Sequence, residues 1–159
     1  MVLVVRSTVA QGQVRADGKA ECEGLMNQAI LFAQKMLRKQ GGFYPYAYVL
    51  NSSGKVALVG GYDGKEHPES QAIIDLLIGA FQKDAQAGTI RATALVYDVK
   101  VVAPGTTVKS DAIAVALEHR DGYSVAVYFP YVLGAGEVTI GKSFAERSKA
   151  RVFAPRSLK

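Results

Sequence analysis

The chain is predicted to be an α+β domain of two layers. An antiparallel sheet of about five strands carries two helices on one face, in the order α-β-β-α-β-β-β. Three observations predict this. Two segments repeat apolar residues at helical spacing. Five others are rich in β-branched and aromatic residues. The strand-like segments are joined mostly by short glycine-containing turns, which make consecutive strands antiparallel neighbours.

Residues 1–19 read as a loose arm with a short edge strand at 2–5. The first helix is expected over 20–40. Leu25, Ala29, Phe32 and Met36 form a stripe flanked by Met26, Ile30, Ala33 and Leu37. Glu21 and Glu23 near its start and Lys35, Arg38 and Lys39 near its end suit the helix dipole, and Gly41-Gly42 ends it.

Strands are expected at 43–50 and 55–61 around the turn Asn51-Ser52-Ser53-Gly54. Pairing Leu50 with Lys55 puts Phe43, Ala47, Val49, Val56 and Leu58 on one face. Tyr44, Tyr46, Tyr48 and Leu50 then lie on the other. The second helix starts near Pro68 and ends at Gly88, with Ile73, Ile74, Leu77, Ile78, Phe81 and Ala85 as its buried stripe.

Three more strands are expected at 89–102, 110–119 and 123–130, the last stopping at Pro130, with a short addition near 138–140. The turn at Arg120-Asp121-Gly122 allows a two-residue or a three-residue loop. The three-residue loop pairs His119 with Tyr123 and places Ile113, Val115, Leu117, Val125, Val127 and Phe129 on one face. It leaves Ala112, Ala114, Ala116 and Ala126 on the other. A one-residue slip exchanges faces, so this clean separation of large from small residues favours the three-residue loop with Gly122 left-handed.

The element order is similar to that of profilin-like and roadblock-like domains. The similarity is one of topology, and those folds host scaffolds, sensors and binding modules, so it implies no single function.

The helices are expected to cover the face of large residues. The second face would then hold Tyr44, Tyr46 and Tyr48 beside a floor of Ala92, Ala94, Ala112, Ala114 and Ala116, with Asp98, Lys100 and Glu118 near one end. Apolar sheet faces of this size need a cover, and tyrosine is enriched at interfaces. A second copy, the two termini or a ligand are the possible covers, and a homodimer is the leading one.

Candidate chemistry is sparse. Asp63, Glu66 and His67 suit a helix start better than a metal site in a chain with two histidines and one cysteine. Glu118 and His119 are strand neighbours that point to opposite faces, so they form no dyad. Asp98 and Glu118 are expected to share a face, with Lys100 to neutralise them. Cys22 reads as a lone buried thiol. No glycine-rich stretch has a phosphate-binding fingerprint, and no metal or cofactor is implied.

The net charge of +5 is localised. Lys142, Arg147, Lys149, Arg151, Arg156 and Lys159 against Glu146 alone carry all of it, and residues 1–141 are neutral. The picture is one domain over 1–159 with a basic tail from 142, no membrane-length apolar run and a cytoplasmic setting. The leading function is a non-enzymatic module that self-associates or binds another protein. The alternatives are a small-molecule binder or enzyme with its site near Asp98 and Glu118, or nucleic-acid binding through the basic tail.

Overall fold

A computed structural model describes residues 17–61 and 63–153. It contains helices α1 (Gly18–Gln40) and α2 (Ser70–Ala87) and strands β1 (Tyr46–Asn51), β2 (Val56–Gly60), β3 (Ile90–Val102), β4 (Lys109–His119), β5 (Ser124–Gly134), β6 (Glu137–Ile140) and β7 (Phe144–Arg147). The α+β class, the antiparallel sheet and the order α-β-β-α-β-β-β are those expected. The sheet has seven strands, ordered β2-β1-β3-β4-β5-β6, with β7 also paired to β5.

Pro130 does not end β5. It sits where β5 exchanges one outer partner for another: Tyr128 pairs with Phe144 of β7 and Tyr131 with Ile140 of β6. A residue without an N–H is tolerated at such a junction.

α1 begins two residues earlier than expected, so Gly18 and Lys19 belong to the helix rather than to an arm. The Asp17 side chain accepts from the Ala20 N–H at 2.7 Å, and Gly41 closes the other end at φ 76°. Cys22, Leu25, Ala29, Ala33 and Leu37 form its buried line. α2 starts after Glu69, two residues beyond the expected proline start, and ends at left-handed Gly88.

The β1–β2 and β4–β5 hairpins use three-residue loops. His119 N–H donates to the Tyr123 carbonyl at 2.9 Å, and Gly122 has φ 103°. Ile113 therefore pairs with Phe129, Val115 with Val127 and Leu117 with Val125, as expected. In the first hairpin the loop is Ser52-Ser53-Gly54, with Asn51 N–H bonded to the Lys55 carbonyl at 2.9 Å and Gly54 at φ 88°. The expected Leu50–Lys55 pair is therefore corrected by one residue. Leu50 pairs with Val56 and Tyr48 with Leu58, and the two faces of β2 exchange.

The helices do not share a face. α1 packs with Tyr46, Leu50, Ala92, Ala94, Val96, Ile113, Val115 and Leu117. α2 packs on the reverse side with Ala47, Val49, Ile90, Leu95 and Ala116. The strands β1, β3 and β4 are apolar on both sides, so each side acquires its own helix. The α1 layer is the larger core. Its Leu25, Leu37, Ile113 and Leu117 are almost wholly buried, each contributing about 1.5–3 kcal/mol of transfer free energy. Among the described residues no helix is long and apolar enough to cross a membrane.

Candidate functional site

The tyrosines and alanines singled out from the sequence do not form one surface. Tyr46 and Tyr48 face α1. The Tyr46 hydroxyl donates to the Ala29 carbonyl at 2.6 Å, in the buried core, and its ring meets Phe32 edge-on at 4.8 Å and Phe43 at 5.6 Å. Small Ala29 and Ala33 let the ring approach the helix backbone. Burial pushes the Tyr46 and Tyr48 hydroxyls above the ordinary phenol range. Tyr44 precedes β1, is half-exposed, and has its hydroxyl 3.5 Å from Nδ1 of His67.

The alanines divide between the two faces. Ala94 pairs with Leu117, Leu95 with Ala116, and Tyr97 with Ala114. Ala92 and Ala94 therefore lie under α1, and Ala112, Ala114 and Ala116 lie on the reverse side. Large residues on one strand fill the space beside small ones on the next, so neither face is a uniform floor. The reverse-face alanines are themselves buried. α2 and Val152 pack against Ala116, and Tyr97 and Tyr128 flank Ala114 along its rank. The premise of an open tyrosine–alanine face is thereby corrected.

The expected charge cluster is also dispersed. Asp98 pairs with Ile113 on the α1 face, whereas Glu118 pairs with Thr93 on the reverse face toward the other end of the strands. Asp98 accepts a hydrogen bond from the Tyr131 hydroxyl at 3.0 Å. Its carboxyl is raised by burial, an effect that this bond partly offsets and Asp111 reinforces. Lys100 pairs instead with Asp111 at 3.1 Å, in solvent. Glu118 is buried, and one oxygen, Oε1, accepts from the backbone N–H groups of Arg151, Val152 and Phe153 at 2.8, 2.9 and 3.3 Å. Its role is to anchor the segment that covers Ala116.

A polar cluster that the sequence did not indicate joins the start of α1 to the β4–β5 turn. Glu21 Oε2 lies 2.5 Å from Arg91 Nη2, and Glu21 Oε1 lies 2.9 Å from His119 Nε2. The Asp121 N–H donates to His119 Nδ1 at 3.0 Å, so the hydrogen on Nε2 is donated to Glu21. Asp121 accepts from the Gly18 N–H at 2.9 Å and the Tyr123 N–H at 3.0 Å. Its carboxyl is held below the usual range, first by the Tyr123 bond, against a smaller opposing effect of burial, and then by His119 and Gly18.

This cluster lines a cleft of about 710 Å³. Both imidazole nitrogens are engaged and the side chain is 7% exposed, so His119 has no free lone pair to accept a substrate proton. Among the described residues only Nε of Arg91 is a buried side-chain donor without a partner.

Arg91 reaches Glu21 because of a bulge. Leu50 pairs with Ala92 and Asn51 with Ile90, so Arg91 is the extra residue of β3. Glu21 is readable in the sequence as a helix-start acid, but no residue pattern announces that bulge.

Cys22 is buried beside this cluster. Its thiol is pushed up to about 12, first by burial and then by Asp121, Glu21, Glu118 and Glu23, which makes it inert as a nucleophile in the folded state. Among the described residues no three His, Cys, Asp or Glu side chains gather closely enough to hold a metal ion. Asp63 instead accepts from the Lys65 N–H at 2.9 Å as a turn residue.

The basic tail is partly built into the fold. Arg147 ends β7, and Arg151 is held by Glu118. Lys142, Arg147, Lys149 and Arg151 are exposed, and Arg156 lies outside the described residues.

Comparison with protein-family models, curated proteins and solved structures finds no match to the chain.

The remaining candidate surface is a sheet edge. Among the described residues nothing pairs with the outer side of β2, where Val56 is 40% and Leu58 48% exposed. The Asn51–Lys55 bond sets the alternation of bonded and non-bonded ranks, so Val56, Leu58 and Gly60 turn their N–H and C=O groups outward. No charged residue lies between Lys55 and Asp63. At the opposite edge, β6 and β7 have four residues each and carry Glu137, Glu146 and Arg147, a usual protection against strand addition.

Proposed function

We propose that this protein is a non-enzymatic interaction module that forms a homodimer by pairing β2 with β2 of a second copy. The observation that carries the reading is the sheet edge: an uncharged, apolar strand whose outer side has no partner among the described residues, on a sheet whose other edge is short and charged. A two-fold axis at Leu58 pairs Val56 with Gly60 of the second copy and Leu58 with its own counterpart. These are the three residues whose backbone groups point outward, so each finds a bonded partner. Val56 and Leu58 of both copies then meet on the α1 side of the joined sheet.

The full engagement of His119 supports a non-enzymatic role, and the lone buried Cys22 suits a reducing cytoplasm. Sedimentation should give twice the chain mass. Leu58→Pro removes an outward N–H that the sheet within one copy does not use, and should give a folded monomer. A wild-type monomer at every concentration, or a Leu58→Pro dimer, overturns the reading.

A further inference from the structure

The edge strand leaves unexplained a second feature, between the C-terminal half of α2 and residues 151–153. A cleft of about 330 Å³ lies there with Arg120, Arg151 and Gln86 on its walls. Its apolar floor is Ala85, Val152 and Phe153, and no acidic residue lines it. That size is within the range of small-molecule sites.

Both arginines are mounted on fixed backbone. The Arg120 N–H donates to the Arg91 carbonyl at 2.9 Å, and the turn it belongs to is pinned through Asp121 to Gly18. The Arg151 N–H donates to Glu118 at 2.8 Å, and its carbonyl accepts from the Gln82 side chain at 2.8 Å.

Among the described residues neither guanidinium forms an ion pair. Glu118, adjacent in the fold, is the acid placed to neutralise Arg151. It is turned inward instead, with Oε1 spent on three backbone N–H groups. Glu146 on β7 forms no ion pair with Arg151 either. Two exposed arginines thus line one cleft to which the described residues contribute no anion. That chemistry recognises a phosphate or carboxylate group, bidentately where geometry allows.

We infer that this cleft binds a small molecule that carries an oxyanion. Arg120 and Arg151 hold the charged group, Gln86 supplies a further donor, and an apolar part of the ligand rests on Ala85, Val152 and Phe153. The site is independent of the β2 edge.

The test uses the full chain at low salt, titrated with inorganic phosphate, acetate and phenyl phosphate while the arginine Nε–H signals are followed by NMR. Saturable shifts of Arg120 and Arg151 are expected, with phenyl phosphate binding more tightly than phosphate. Arg120→Gln and Arg151→Gln should each weaken binding about ten-fold, and Lys149→Gln should leave it unchanged. The relative strength of phosphate and acetate identifies which oxyanion the site prefers.

Non-saturating shifts overturn the inference. An equal loss in the Lys149→Gln variant also overturns it, because it would trace binding to diffuse tail charge. Loss of phosphate binding with the dimer intact, or the reverse, separates this site from the edge.

Discussion

Glu21 and His119, ninety-eight residues apart, meet at 2.9 Å, and Arg91 approaches the same carboxylate from a bulge in β3. The start of α1, the β3 bulge and the β4–β5 turn are tied at one point. Glu21→Ala should therefore cost about 2–3 kcal/mol, because it leaves the His119 and Arg91 donors without their acceptor. Glu21→Gln, which keeps one acceptor oxygen, should cost less. Urea unfolding measures both, and a Glu21→Ala loss below about 0.5 kcal/mol, the scale of a neutral surface change, would show that the cluster holds nothing.

Gly18→Ala tests the same junction through sterics. A Cβ at Gly18 would clash with the Asp121 carboxylate. Helix propensity alone favours alanine by about 1 kcal/mol. A net loss of about 1–2 kcal/mol is nonetheless expected, because the clash displaces the Asp121 hydrogen bonds. The double variant Gly18→Ala/Asp121→Ala should lose less than the two single losses combined. A more stable Gly18→Ala protein would refute the close contact.

Glu118→Ala should release residues 151–153 without unfolding the sheet. Hydrogen exchange at Arg151, Val152 and Phe153 is expected to accelerate, and stability to fall by about 1–3 kcal/mol. Unchanged protection of those three amides would mean that packing of Val152, rather than the carboxylate, holds the segment.

Asp98 should oppose stability at neutral pH. Its folded carboxyl is raised, chiefly by burial, so the folded state holds the proton more tightly than the unfolded one. Its contribution is favourable below the unfolded value and is lost as pH rises through the folded one. Asp98→Asn keeps an acceptor for the Tyr131 hydroxyl and should stabilise the protein at pH 7. The gain should be under about 1 kcal/mol, because the residue is partly in water. Stability curves of the two proteins should converge at low pH, and a gain that persists there would disprove the assignment.

Cys22 should resist thiol reagents in the native protein at pH 8, where almost none of a thiol pushed up to about 12 is ionised. Full reaction should appear only in denaturant. Rapid native labelling would contradict its burial.

Residue patterns led to the helices, the strands and the β4–β5 register because each has a local cause. Apolar spacing marks α1 and α2, and Gly122 in the third loop position sets the turn. The same three-residue rule applied to Ser52-Ser53-Gly54 aligns β1 with β2 correctly; counting Asn51 into the loop shifts β2 by one and exchanges its faces. The register of β3 against β4 had no such guide, because 103–108 is a longer connection without a short-turn rule. Ala94 beside Leu117 and Leu95 beside Ala116 follow from volumes across strands. A search for uniformly large and uniformly small faces therefore misplaces β3. The side taken by α2 was equally hidden, since β1 is apolar on both sides and its alternation does not say which helix each side receives. The candidate site suffered most: Arg91 meets Glu21 only through a bulge, and Asp98 and Glu118 are parted by the β3 frame.

The three amides gathered on Glu118 have a consequence for synthesis. Residues 151–153 leave the ribosome after every helix and strand they close over. Until they emerge, Ala116 and the Glu118 carboxylate stay wet, and the nascent domain has a finished α1 side but an unsealed reverse side. A released chain truncated just before Lys149 should be held by chaperones of exposed apolar surface, whereas the chain that extends through Phe153 should not.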